Sequence, residues 1–247
     1  MAPAAFYRVH QLRLEAKIGK CLDIHLQETT GYPLLDVGCG RGGPAVDLAN
    51  EFGFDVIGVD LVPFNTTQAV QNANKHDADA QFVVGDATAL PFDAETMTAC
   101  TAIDSLVYVP DRNSAVSEIA DVLTSTGVVV ISNLLRRIGG SEQGQRAVER
   151  FADEWDMPPL GTEEEYEQML VDVGFSLQRV EDITASSVGR FRKWTTLFLG
   201  LVASPARPLI TYLLQQLGLD TSALPPQVRV AHQALPHLKH VVYIGRT

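Results

Sequence analysis

The stretch LLDVGCGRGG, Leu34 to Gly43, constrains this chain more than any other. The apolar run YPLLDVG reads as a short buried strand, glycines break it at once, and PAVDLAN resumes at helical spacing. Strand, tight turn and helix N-terminus therefore follow one another with nothing between them. Gly38, Gly40 and Gly42 permit a sharp turn and close approach of the backbone to a ligand, while the next helix presents unpaired N–H groups at its start. Taken alone, such a turn fits a structural bend as well as a binding loop, so the rest of the pattern has to decide.

The elements that follow alternate. A helix is expected near Pro44 to Phe52, a strand in FDVIGVD ending on Asp60, a helix over Thr66 to His76, and strands in AQFVVGDA and at the start of MTACTAIDSLVYV. RNSAVSEIADVL places Ala115, Ile119, Val122 and Leu123 on one helical face, and GVVVISNL is a nearly continuous apolar strand. Five short apolar strands separated by helices predict a parallel sheet covered on both faces. Further on, TEEEYEQMLVDVGF predicts a helix capped by Thr162, with Tyr166, Met169, Leu170 and Val173 on its apolar side and Gly174 as its stop. A strand into Ile183 and a last strand in LKHVVYIGRT complete the series. With 247 residues and 46% apolar content, the expectation is a single α/β domain over residues 1–247.

Charge and cysteine usage narrow the partners. A formal charge of -11 disfavours a nucleic-acid surface but leaves open a nucleotide-sized ligand held by backbone groups. Cys21, Cys39 and Cys100 form no paired motif, so neither a disulfide framework nor a zinc cluster is indicated and a reducing, cytoplasmic setting is expected. No run approaches the roughly 20 apolar residues that span a bilayer, so no stable membrane insertion is expected. Gly139 to Asp182 holds twelve acidic residues against three basic ones and is read as largely a solvated face. Ile183 to Leu219 holds Arg190, Arg192, Lys193 and Arg207 with no acid, amid many aromatic and aliphatic residues, which suggests helices packed over something.

Three carboxylates give the ligand its character. Asp36 stands just before the glycines, where it would repel a pyrophosphate yet accept hydrogen bonds from an ammonium group. Asp60, 24 residues later at the next strand end, can accept both hydroxyls of a ribose. In GDATALPF, Asp86 faces toward an exocyclic amine and Ala87 offers a backbone N–H to an adenine ring. Structural alternatives stand beside these readings: Asp60 as a strand terminator, Asp86 as a turn former, and a nicotinamide site, since GCGRGG also satisfies much of the dinucleotide glycine pattern. Asp36 and the GDA element favour a ligand with an adenosine portion and a positively charged end.

LLDVGCGRGG, Asp60, GDATALPF, AIDSLVYVPDRNSAVSEIADVLTSTGVVVIS and TEEEYEQMLVDVGF together resemble the class I S-adenosylmethionine-dependent methyltransferases, in particular the small-molecule branch that includes ubiquinone, sterol, glycine and natural-product methyltransferases. The resemblance is strong over Pro33 to Ile183, and HQALPHLKHVVYIGRT is similar to the branch's last helix and strand. It implies a Rossmann-like seven-stranded, mostly parallel sheet with an antiparallel last strand, N-terminal cap helices over residues 1–30 and a helical substrate cap over 184–238. It implies S-adenosyl-L-methionine with its methionine end near Asp36, Gly38, Cys39 and Gly40, its ribose on Asp60 beside Leu61, its adenine beside Asp86 and Ala87, and Thr101, Ala102 and Ile103 on the sulfonium side. Tyr7 and His10 would fold over the cofactor, and Asp104 and Tyr108 are the catalytic candidates. His232, His237 and His240 receive no role from spacing, and no ligand set for a metal is evident. Phe191, Trp194, Leu197 and Phe198, beside Arg190, Arg192 and Lys193, suit either an amphipathic helix seated on the core with its basic side in water or the cover of a small, partly apolar acceptor with an anionic group. A monomer or homodimer is expected. The competing classes are a noncatalytic cofactor-binding or interaction protein and a nicotinamide oxidoreductase.

Overall fold

The computed structural model describes residues 33–205 and 224–247, together with Ile18, Leu22, Pro208, Tyr212 and Gln216. The elements run β1 (Leu34–Val37), α1 (Gly43–Phe52), β2 (Val56–Asp60), α2 (Pro63–His76), β3 (Ala80–Val84), β4 (Met97–Ile103), α3 (Arg112–Val122), β5 (Leu123–Arg136), α4 (Glu142–Glu154), α5 (Glu163–Asp172), β6 (Ser176–Asp182), α6 (Val188–Ala203), α7 (Leu224–Ala234) and β7 (Leu238–Arg246). Seven strands form one sheet in the order β3-β2-β1-β4-β5-β7-β6. The first five pair in parallel. β7 runs antiparallel between β5 and β6, so the antiparallel last strand implied by the family resemblance is present.

Alternation along the strands divides the core into two layers. Leu35, Val37, Cys100, Ala102, Ile131 and Tyr243 share one cluster with Ala115 and Ile119 of α3 and Tyr166 and Leu170 of α5. Leu34, Ala99, Ile103, Val130 and Val242 share the other with Ala45 and Leu48 of α1 and with Ile18 and Leu22. A third cluster joins Val107, beyond β4, and Leu238, where β7 begins, to Val148 and Phe151 of α4, Val188 of α6 and Ala231 of α7. These helices therefore lie over the carboxyl edge of the parallel strands, the same edge that carries the glycine turn.

Local chemistry sets the helix limits. α1 opens behind Gly42 in the left-handed region, with a proline in its first turn, and closes on left-handed Gly53. α3 begins where Asp111 accepts the Ser114 N–H. At α5 the Thr162 hydroxyl accepts from Glu165 N (3.2 Å) and the Glu165 carboxylate accepts from Thr162 N (2.7 Å), the reciprocal cap expected from the sequence.

Two expectations need correction. No helix separates β3 from β4; that connection is a loop tied down by Leu90 N to Glu118 (2.7 Å) and Thr96 N to Val122 O (2.9 Å). Leu123 belongs to β5, not to the face of α3, because the chain turns extended at that residue. The acids of the stretch read as largely a solvated face do lie mostly exposed, and the stretch also forms α4, not singled out in the sequence, which buries Val148, Phe151 and Ala152 on its other side. Of the proposed N-terminal cap, Ile18 and Leu22 are described and buried, whereas most of the rest lies outside the described residues.

Replacing Thr162 by Ala removes one half of the α5 cap. The expected cost is about 1 kcal/mol, read as a lowered midpoint in urea with an unchanged slope.

Candidate functional site

The order of the sheet reverses at β1 and β4, and a crevice at the carboxyl ends of such strands is where open parallel sheets hold ligands. The glycine turn is built against this point. Gly38 has φ +71°, and a Cβ there would sit 2.3 Å from Cβ of Ser105, so no other residue lets the turn close on the loop after β4. Ser105 in turn donates to Val37 O (2.6 Å). The N–H groups of Gly38 and Cys39 are both given to Val59 O (2.8 and 3.0 Å), and that of Gly40 to Asp60 Oδ2 (2.9 Å). Their donors are thus spent inside the protein, which weakens the nicotinamide reading, since a pyrophosphate cradle needs such N–H groups facing outward.

Gly40 fits a different ligand. With φ +55° it has open space where a Cβ would stand, leaving the turn flat on its ligand side. Beside it, Asp60 is held as an acceptor pair, Oδ1 taking Val62 N (2.9 Å) and Asn65 Nδ2 (3.0 Å) while Oδ2 takes Gly40 N. Asn65 was not singled out in the sequence; it lies one turn into α2, where its amide reaches back to the strand end. Leu61 is 65% exposed next to it, an apolar surface at the crevice rim.

Asp36 is buried, and Thr101 donates to its Oδ1 (2.9 Å). Its Oδ2 is buried without a hydrogen-bond partner among the described residues. Burial, then the nearby Asp60 charge, outweigh the Thr101 bond and push the carboxyl up to about 7. An orphaned carboxylate oxygen beside an open glycine and a fixed acceptor pair suits a ligand with an ammonium group and a ribose, so the residues present fit S-adenosylmethionine.

The remaining candidates divide. The Cys39 thiol points to Gly40 O (3.8 Å) in a buried position where burial and Asp36 hold it protonated, so Cys39 shapes the turn. Asp86 lies past the end of β3, and its Oδ1 accepts from both the N–H (2.9 Å) and hydroxyl (2.8 Å) of Thr88, which lowers its pKa; the turn-forming role is therefore present. Ala87 follows in the same turn and packs against the core. Thr101 and Ile103 face the α1 layer, but Ala102 points to the opposite layer, so only its backbone is on the crevice side. Tyr7 and His10 lie outside the described residues.

Asp104 follows β4 in the left-handed region, φ +52°, with its N–H on Ser132 O (2.8 Å). Its Oδ1 receives the Ser132 hydroxyl (3.0 Å) and lies 2.8 Å from His240 Nε2. Tyr108 ends a one-turn 3-10 helix, Leu106–Tyr108, and is half exposed; partial burial and the Asp104 charge push its phenol up, keeping it a neutral O–H. Ser132 was not singled out in the sequence and His240 received no role there, because β5 and β7 deliver them from 28 and 136 residues away, with no local motif.

In the cap, Phe191, Trp194 and Phe198 stack in series along α6, with ring centroids 5.7 and 5.2 Å apart. Leu197 is 62% exposed on the outer side, which corrects its expected place in an apolar lining. The other two histidines serve packing: His232 Nδ1 lies 2.8 Å from the Thr195 hydroxyl, and the His237 ring occupies the place a Cβ on Gly144 would need. Among the described residues no three His, Cys, Asp or Glu side chains group as metal ligands, and no helix is long and apolar enough to cross a membrane.

Fold and site together define a Rossmann-like domain whose switch-point crevice fits an adenosine-bearing ligand, and comparison with known proteins narrows the kind. Residues 35–131 match the family described as methyltransferase domain. The O-methyltransferase resE of Aspergillus sclerotiorum is 29% identical over 160 residues, 64% of this chain and 60% of that protein; this chain thus spans less than two thirds of that relative. A geranyl diphosphate C-methyltransferase of Streptomyces coelicolor, solved with Mg2+, geranyl diphosphate and S-adenosyl-L-homocysteine, has a TM-score of 0.71 at 21% identity, covering 95% of this chain and 81% of that one. The [4+2]-cyclase SpnF shares the fold at a TM-score of 0.67 and 19% identity, covering 93% and 80%. Over residues 35–131 the chain thus matches the methyltransferase-domain family, and it resembles the class I S-adenosylmethionine-dependent methyltransferases.

The unliganded protein provides a test of Asp36. Because its folded value, about 7, lies above the ordinary 3.8, the fold holds a proton that the unfolded chain has released. That contribution is complete below the ordinary value and is lost as pH rises through about 7. Asp36→Asn should therefore flatten the fall in melting temperature between about pH 4 and 7. An unchanged slope in differential scanning calorimetry would assign the pH dependence elsewhere.

Proposed function

We propose that this protein transfers the methyl group of S-adenosyl-L-methionine to a small, partly apolar acceptor enclosed between the sheet edge and the cap. The observation that carries the reading is the meeting of Asp36, Gly40 and Asp60 at the switch point, with Asp104 and Tyr108 on the same edge of the sheet. Asp36 and the turn from Gly38 to Gly40 would hold the amino-acid end, Asp60 the ribose with Leu61 against it, and the turn of Asp86 and Ala87 the base. Thr101 and Ile103 would flank the sulfonium.

The bound cofactor supplies a methyl group already activated by positive sulfur. An acceptor electron pair would replace the carbon–sulfur bond, whose electrons would leave with S-adenosylhomocysteine. Alignment and exclusion of water then supply much of the rate, which suits a site without an isolated strong base. Tyr108, kept neutral, would donate a hydrogen bond to an acceptor oxygen or nitrogen, and Asp104 would orient the acceptor or receive its proton. Half-buried Phe191 and Trp194 beside Arg190 suit an acceptor with an apolar body and an anionic end. The Streptomyces protein of the same fold was solved with geranyl diphosphate, which has that chemistry.

Methyl-labelled S-adenosylmethionine, incubated with the protein and a broad metabolite extract, should yield labelled small products by mass spectrometry. Tight cofactor binding with all label left on the donor would favour a noncatalytic role, and label on protein or nucleic acid alone would overturn the acceptor class. Asp60→Ala should weaken S-adenosylhomocysteine binding in calorimetry by roughly 10- to 100-fold, the loss of charge-assisted acceptors for ribose.

A further inference from the structure

We infer that His240 is a positioning residue for methyl transfer, acting through Asp104; this rests on the methyltransferase reading above. Asp104 occupies a conformation that a residue with a Cβ adopts at a cost, and it does so directly beyond β4, at the mouth of the crevice. Contacts from β5 and β7 hold it there. Its N–H is fixed on Ser132 O, and its Oδ1 lies between the Ser132 hydroxyl and His240 Nε2. Ser132 is fully buried and the His240 side chain 4% exposed, whereas the Asp104 side chain remains 24% exposed. The clamp is thus buried while the group it holds reaches the site.

His240 is itself secured from the neighbouring strand. Its backbone N–H donates to the Thr184 hydroxyl (2.9 Å), and its carbonyl accepts from Ile183 N (2.8 Å), both just beyond β6. Register places it opposite Leu134 of β5. Facing a carboxylate oxygen, Nε2 carries the proton, so the bond to Asp104 fixes the tautomer of the ring as well as the carboxylate. The Ser132 hydroxyl is one side-chain donor to this carboxylate. The imidazole supplies a second donor from a strand that cannot move without the sheet. The acceptor therefore meets a carboxylate of fixed direction, and its alignment with the methyl group depends on a residue that does not touch it.

The experiment compares His240→Leu, His240→Asn and His240→Gln with the wild type, using methyl-labelled S-adenosylmethionine and the acceptor fraction that the wild type labels. Circular dichroism and calorimetry with S-adenosylhomocysteine check fold and cofactor site. The leucine and asparagine variants should lose roughly 10- to 100-fold in kcat, with acceptor KM and cofactor Kd moved by less than about 3-fold, because the lost bond orients rather than binds. Glutamine, whose amide reaches the carboxylate, should recover much of that loss; asparagine, which falls short, gives the same reading as leucine should leucine not fold. On the residual rate of Asp104→Ala, His240→Leu should cost nothing more. Wild-type turnover in the leucine and asparagine variants, glutamine no better than leucine, or losses that add in full to Asp104→Ala would each overturn the role of His240. Absence of label transfer by the wild type would instead bring down the methyltransferase reading, and this inference with it.

Discussion

A carboxyl group buried at the end of β1 is the constraint on which the rest of the site depends. Asp36 is tolerated there because Thr101 reaches it from β4, so one hydrogen bond joins the two strands whose divergence creates the crevice. Burying such a group with one oxygen unpaired costs free energy unless a ligand completes it. The absence of a side chain at Gly38 brings Ser105 in beside it, so the turn after β1 and the loop after β4 are locked together. Loosening either contact would disturb the cofactor edge and the Asp104 backbone at once.

Much of this architecture was legible in the chain because it is written locally. Alternation and apolar runs gave the strands, Thr162 and Glu165 gave a cap, and Asp36 and Asp60 stand at strand ends as expected. What was not legible depends on distance or on context. The amphipathic α4 was hidden because a helix with a single buried face can be strongly acidic in composition. The missing helix between β3 and β4 was hidden because a loop pinned by Glu118 needs no pattern of its own. Asp86 was ambiguous for a physical reason: the residue type that recognises an amine is also one that closes turns, and here it bonds Thr88.

The histidines show the same limit more sharply. Spacing treated His232, His237 and His240 alike, yet they meet a threonine, a glycine and an aspartate. The first two join α6 to α7 and seat α4 against the start of β7, so they fix where the cap rests. Only tertiary contact separates these tasks, since the ring can serve as a hydrogen-bonding group, a packing plate or a charge partner. The cap also has two distinct surfaces, one carrying the aromatic series of α6 and one carrying Leu197 with Arg192 and Lys193 outward.

The placement of β7 has a consequence for how the protein is made. It follows every other strand in sequence, yet it lies between β5 and β6, so β6 has no neighbour in the sheet until β7 has entered. The half built from β1 to β5 pairs earlier-synthesised segments in parallel and can assemble while the remainder is still emerging from the ribosome. The other half waits on contacts across more than a hundred residues, the Asp104–His240 pair among them. Long-range closure of this kind is slow. A nascent chain would thus acquire the cofactor edge first and the fixed Asp104 carboxylate last, and truncations that stop short of β7 would leave an exposed strand edge open to pairing with other chains.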